Sequence, residues 1–355
     1  MGPTRTLDLS SALAPDREYP LSTPPDIPYW AENMLFTLYD PTADFGLWLH
    51  LGTVPTDWSM WEDIVLGYLP GDGGLLHMTS YHRTPAERRP AGSNLSFTCL
   101  EPFRRWKLEF DGRCLLSEYE QLRQGRALDS VKHPLAFELT VECATPVWDA
   151  HTSATIGDDR GSMRGQSWAT DHYQQLFTVQ GPVQLPEGEI EFKGTGWRDH
   201  SRGPRHGGTG ATWGGHAIVN CLFPDSGRGF GLTRMWDPDG ELTLDAGFVV
   251  DADGVLHHAE VLEVPRFYEP RVSGDEIPIT LGYPGGEVRL LGRTVKETWM
   301  TRNHALARGV EREGKASILA EAFARFEWDG EVGYGLCERS EHLNDPAGEL
   351  RPPAP

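Results

Sequence analysis

A run of thirteen residues, Gly194-Thr195-Gly196-Trp197-Arg198-Asp199-His200-Ser201-Arg202-Gly203-Pro204-Arg205-His206, gathers one carboxylate, three guanidinium groups, two imidazoles and one indole. Asp199 is the group best suited to chemistry. Beside an aromatic wall desolvation disfavours the charged form of a carboxyl, so such an acid can keep a proton near neutral pH and give it away as a general acid. In extended backbone neighbours alternate sides. Trp197 therefore shares the side of Asp199 and points with it toward a cavity, while Arg198 and His200 turn to an outer layer or an interdomain contact, as candidate ligand-holding groups. The competing reading of Asp199 is an Asx-turn or an ion pair with Arg202 or Arg205. Tyr173, if its phenol comes within reach of Asp199, could share its proton or hold a substrate hydroxyl, and His172 is a further catalytic candidate. Glu338 has the parity of Tyr334 and Leu336; it either reaches the same cavity or pairs with an arginine of the run.

These groups need elements to hold them. Glu189-Ile190-Glu191-Phe192-Lys193 alternates with period two, so the run sits where a strand meets a glycine-flanked turn. The same alternation occurs in 106–110, 137–142 and 326–328, with Asp111-Gly112, Asp253-Gly254 and Asp329-Gly330 as hairpin turns. Helix is minor, with 117–126 and 303–312 the best candidates. Forty glycines, twenty-seven prolines and twelve tryptophans fit many short strands. The expected class is all-β and antiparallel, in two strand-rich halves: an arm over 1–24, a first half over 25–150, a polar linker over 151–166, a second half over 167–345 that carries the run, and a tail over 346–355.

The pattern Trp197-x-Asp199-His200-x-x-Gly203 after Gly194-x-Gly196 resembles the signature of the hydroxyneurosporene synthase (carotenoid 1,2-hydratase) and AttH-like superfamily. His172-Tyr173-Gln174-Gln175 upstream and Gly333-Tyr334-Gly335-Leu336-Cys337-Glu338 near the end fit as well. The resemblance covers most of 165–340 and departs at Arg202, where an aromatic is commoner. It implies two lipocalin-like barrels in tandem and addition of water across a carbon–carbon double bond. In that scheme Asp199 protonates an alkene or a leaving hydroxyl, Trp197 faces the cationic centre and Tyr173 positions water. Pericyclic cyclases share the same shape.

A barrel of about eight strands has an interior just wide enough for one small ligand. Trp48, Trp61, Trp213 and Trp236 are candidate walls, suited to a terpenoid, steroid or polyketide, and His50 beside Trp48 adds a polar group. A net charge of −20 argues against nucleic acid and anionic membrane surfaces as partners. The expected partners are a hydrophobic small molecule and a second copy of the chain. Five scattered cysteines without a Cys-x-x-Cys pair indicate neither a disulfide framework nor a zinc site. His258 and Glu260 share a face without a third metal ligand, and Asp251-x-Asp253-Gly254 reads as a turn rather than a calcium loop. Nucleotide-binding glycine motifs are absent. No cofactor, no metal and a cytoplasmic location are expected, for a hydratase–dehydratase type lyase or an isomerase. The alternatives are a lipocalin-like carrier and a cyclase of the same fold.

Overall fold

The structure, a computed structural model, describes residues 7–123, 126–150, 163, 169–204, 214–266, 271–301 and 317–342. Its strands are β1 (Trp30–Asp40), β2 (Phe45–Val54), β3 (Asp57–Tyr68), β4 (Leu75–Arg83), β5 (Leu95–Glu101), β6 (Arg105–Ser117), β7 (Val131–Cys143), β8 (Trp148–Asp149), β9 (Asp171–Leu185), β10 (Gly188–Pro204), β11 (Gly215–Leu222), β12 (Gly229–Trp236), β13 (Leu242–Val250), β14 (Leu256–Glu263), β15 (Glu276–Tyr283), β16 (Gly286–Thr301), β17 (Ser317–Trp328) and β18 (Glu331–His342). One short helix, α1 (Tyr119–Arg123), falls within the first predicted helical stretch; the second lies outside the described residues.

The first sheet runs β10-β1-β2-β3-β4-β6-β7-β9-β8, with β5 paired to β6. Because β10 also pairs β9, the sheet returns to its own start and forms a ring. Strands β11 to β18 close in sequence order into an eight-stranded antiparallel barrel. The chain is thus all-β, with two lipocalin-like units in tandem. Ring closure leaves few free strand edges, which accounts for a fold of this size with almost no helix.

Strand pairing differs from the sequence expectation at three places. The hairpin β9–β10 pairs with β7 and β1 and belongs to the first ring, although the sequence reading put it in the second barrel. The polar stretch 151–166, most of it outside the described residues, therefore enters β9 of the first ring, and the crossing to the second barrel follows β10. The Trp197–Gly203 run lies in the C-terminal half of a seventeen-residue strand, not in a turn. Its glycines serve close approach instead: a Cβ on Gly194 or Gly196 would stand 2.1 Å from the carbonyl oxygen of Tyr39 or Thr37. Asp111-Gly112 likewise lies inside β6, paired with Ala136 and Leu135. The other two turns are as expected. Asp329 and Gly330 have φ of 51° and 83°, the left-handed pair of a two-residue hairpin, and Asp251 Oδ1 accepts the Asp253 and Val255 amides of the β13–β14 turn.

Three large apolar clusters follow from period-two alternation. Phe36, Leu49, Trp61, Trp106 and Phe177 fill the first ring. Val219, Phe230, Val249, Ile279 and Phe326 fill the second barrel. The third, with Leu35, Trp48, Tyr68, Trp197, Ile218, Phe248 and Phe323, lies between the two units. Both interiors are occupied by side chains among the described residues, and Asp199, His172, Glu338 and His216 lie on the strands between the units.

Candidate functional site

Register decides which face each residue of the hairpin presents. Asp199 opposes Gln174 on β9 and Leu35 on β1, which in turn opposes His50 on β2. Directly opposed residues share a face, so Gln174, Asp199, Leu35 and His50 form one row. Leu176, Trp197, Thr37 and Trp48 form the next row by the same pairings, and all of these side chains face the second barrel. Arg198, His200, Tyr173 and Gln175 have the other parity and enter the first ring.

The inward groups make a sealed ionic cluster. The arm before β1 inserts Glu18, which is fully buried, against Arg198 at 2.9 Å. Tyr173 Oη donates to Glu18 at 2.7 Å and lies 2.7 Å from His200 Nδ1. Glu32, also fully buried, is 2.6 Å from His200 Nε2 and 2.7 Å from Arg202 Nε. Burial opposes ionisation of Glu18, but Arg198, the Tyr173 hydroxyl and the Phe103 amide outweigh it and hold its carboxyl below the usual range. Glu32 is lowered in the same way, burial being outweighed by the His200 hydrogen bond and Arg202. Burial keeps His200 toward its neutral form despite Glu32 and pushes the Tyr173 phenol well up. Tyr173, Arg198 and His200 therefore anchor the arm and take the opposite parity to Asp199. Arg202, the departure from the superfamily pattern, belongs to this cluster; its guanidinium also donates to the Arg17 and Tyr19 carbonyls.

The outward groups face the second barrel. His172 Nε2 lies 2.9 Å from Asp199 Oδ2, with His172 fully buried and Asp199 13% exposed. Asp199 thus pairs with an imidazole rather than with Arg202. Trp197 Nε1 donates to Gln174 Oε1 at 3.1 Å, and Gln174 Nε2 donates to Thr233 Oγ1 of the second barrel at 3.1 Å. Trp148, packed edge-on to His172, stacks on Phe248 with centroids 5.9 Å apart. Strands β9 and β10 lie against β11 and β18. There a second carboxylate–imidazole pair stands: Glu338 Oε1 is 2.6 Å from His216 Nε2, and Ser340 Oγ is 2.6 Å from His216 Nδ1. Glu338 is 12% exposed and His216 almost fully buried. Glu338 pairs with this histidine, not with an arginine of the run.

Two further polar groups line the same face. His50 Nε2 donates to Asn33 Oδ1 at 3.2 Å, its Nδ1 is 3.8 Å from Glu62, and Tyr81 donates to Glu62. Glu321 on β17 is buried against the Trp48 indole and the Glu338 carboxyl. Burial pushes its carboxyl well above the usual range, the neighbouring Glu338 adds to the rise, and the Trp48 N–H opposes it. Of the expected aromatic walls, Trp48 and Trp197 are at the cleft. Trp61 is in the core of the first ring. Trp236 is covered by Arg266, 4.4 Å above its ring, and Trp213 lies outside the described residues. Among the described residues no three His, Cys, Asp or Glu side chains converge on a common metal position.

The family model for a domain of unknown function, DUF7064, matches residues 14–343, nearly the whole two-unit fold. The chain belongs to the DUF7064 family. Among solved structures, the DUF7064 chain is similar to an AttH-type protein of Nitrosomonas europaea, with a TM-score of 0.60 and 13% identity over 99% of each chain. It is also similar to kievitone hydratase from Nectria haematococca, with a TM-score of 0.48 and 10% identity over 88% of each chain. CghA bound to Sch210972 gives 0.49 and 10% over 91% of this chain and 90% of that one. No curated protein matches the sequence. The first likeness shows that the DUF7064 chain has the AttH-type tandem fold.

Sequence reasoning missed His216, Glu321 and Thr233. Parity on β11 and β17 could not be tied to the Asp199 strand without knowing which strands cross between the units. Gln174 had a readable signal, since it shares parity with His172.

Proposed function

We propose that the chain is a cofactor-independent lyase or isomerase of the hydratase–dehydratase kind, acting on a hydrophobic terpenoid, steroid or polyketide-like molecule between the two units. One observation carries this reading: two carboxylate–imidazole pairs, Asp199–His172 and Glu338–His216, sit on strands that pack against each other, each with its carboxylate part-exposed and its histidine buried. A buried imidazole fixes the orientation of its carboxylate, as acid–base catalysis requires. In hydration, Asp199 gives a proton to one alkene carbon, a water oxygen attacks the other, and Glu338 takes the proton that the water loses. Dehydration is the same sequence reversed. The faces of Trp48 and Trp197 suit a transient carbocation.

The test incubates the protein in deuterium oxide with a panel of isoprenoid alkenes and their tertiary alcohols. Mass spectrometry then follows gain or loss of water and carbon-bound deuterium. Deuterium incorporation that depends on Asp199 is expected. Binding of panel members with no exchange or mass change would leave a carrier.

A further inference from the structure

We propose that Glu321 is a positioning residue, held as a neutral acid that donates a hydrogen bond to Glu338, so that the two carboxyls hold one proton and Glu338 alone is the base at the cleft. This rests on the acid–base reading of the cleft. The geometry comes from the ladder between β17 and β18. Ala320 opposes Arg339, and the next rung sets Glu321 opposite Glu338, where Cβ atoms of cross-strand neighbours stand about 4.5–5.5 Å apart. Two like charges on one such rung are unfavourable, and more so when desolvated.

The surroundings decide which carboxyl keeps the proton. Glu338 has His216 at 2.6 Å, steadied in turn by Ser340, and is 12% exposed. Glu321 is 1% exposed. It faces the Trp48 indole of β2 and the Glu338 carboxyl, while Tyr68 of β3 donates to its backbone carbonyl at 3.1 Å. The titratable groups around it are thus Glu338 and, through it, His216, together with the Tyr68 phenol. Among the described residues no lysine or arginine pairs with it. An ionised Glu321 would be an uncompensated charge beside a second carboxylate, whereas a neutral one satisfies Glu338 and leaves a single negative charge facing the ligand. When Glu338 takes up the proton lost by water, both carboxyls are neutral; Glu338 returns to its ionised state when it gives that proton to solvent.

The experiment is carbon-13 NMR of the full chain labelled at glutamate carboxyls, with Glu321→Gln as the assigning variant. Glu297, whose carboxyl burial pushes up to about 8, supplies one protonated signal at pH 7 in both proteins; a further protonated carboxyl, present in the wild type and missing in Glu321→Gln, is expected. Absence of that signal, or its persistence in the variant, overturns the proposal whether or not the cleft turns a substrate over. Turnover of the alkene panel supplies the second measurement. Glu321→Gln, whose amide still donates to Glu338, should keep wild-type turnover within about threefold, while Glu321→Leu should lose about tenfold to a hundredfold, as expected for a hydrogen bond to a charged group. Loss in Glu321→Gln as severe as in Asp199→Asn would make Glu321 itself the reacting acid and overturn its positioning role. A wild-type chain that shows the protonated carboxyl but transforms no panel member would sink the reading of function and leave the shared proton standing.

Discussion

Adjacent residues on β10 do opposite jobs, and single substitutions should separate them. Asp199→Asn keeps shape and a hydrogen bond to His172, so Tm should move little, while panel turnover falls by about a hundredfold or more because an amide gives no acidic proton. Arg198→Met leaves Glu18 buried without its partner and should cost about 3–5 kcal/mol in urea unfolding. An Asp199→Asn protein that unfolds early but keeps its rate would move Asp199 to the structural side of the strand. The buried cluster also sets a pH dependence. The folded values of Glu18 and Glu32 lie below the unfolded one, so the stability they contribute is complete above about pH 4.3 and is lost as pH falls through the lowered values. Urea midpoints measured down the acid limb should fall less steeply in the double variant Glu18→Gln, Arg198→Met than in the wild type.

At the scale of elements, β10 is the strand on which everything turns. It pairs on both edges, with β1 and β9, and presents one face to the buried cluster and the other to the cleft. Gly196 permits that close pairing, since a Cβ there would meet the Thr37 carbonyl oxygen at 2.1 Å and the Phe177 ring at 2.6 Å. Gly196→Ala should therefore destabilise by about 1–3 kcal/mol or more through overpacking, read as a lower urea midpoint; an unchanged midpoint would show that β1 can shift away freely. The arm is an element of the same kind. Leu9 packs with Phe103, Val147 and Tyr173, and Glu18 compensates Arg198. Removing residues 1–20 should leave that arginine buried and unpaired, and the protein should lose its cooperative thermal transition.

For the whole molecule, the strand order predicts where the chain can be cut. A fragment ending near residue 160 lacks β9 and β10 and leaves the first ring open between β1 and β7. It should fail to unfold cooperatively by circular dichroism and should elute as aggregate. A fragment ending near residue 204 keeps the ring but bares Trp48, Tyr68 and Trp197. It should show more regular strand signal than the shorter piece yet still self-associate, because an apolar patch of that kind is covered only by the second barrel. Cooperative unfolding of the shorter fragment would contradict the ring.

The all-β class and the split of Trp197 and Asp199 from Arg198 and His200 were legible in the chain, because period-two alternation is a local property that needs no partner strand; the tandem arrangement rested on the resemblance, and the two faces are the reverse of the expected ones, since Arg198 and His200 enter the first ring while Trp197 and Asp199 face the second barrel. The turn at Asp329-Gly330 was legible for the same reason. The same parity rule puts His172 and Gln174 opposite in sense to Tyr173, but which set met Asp199 depended on the β9–β10 register. That register arises from pairing across a hairpin and not from any one segment. His216, Glu338 and Glu321 come together through strands more than one hundred residues apart from one another or from Asp199, and the buried Glu18 and Glu32 pair with arginines across a similar span. Composition carries no trace of such meetings. Only closure of two rings, and the packing of one against the other, decided that the Asp199–His172 and Glu338–His216 pairs meet between the barrels and that Arg198 and His200 instead hold the arm in place.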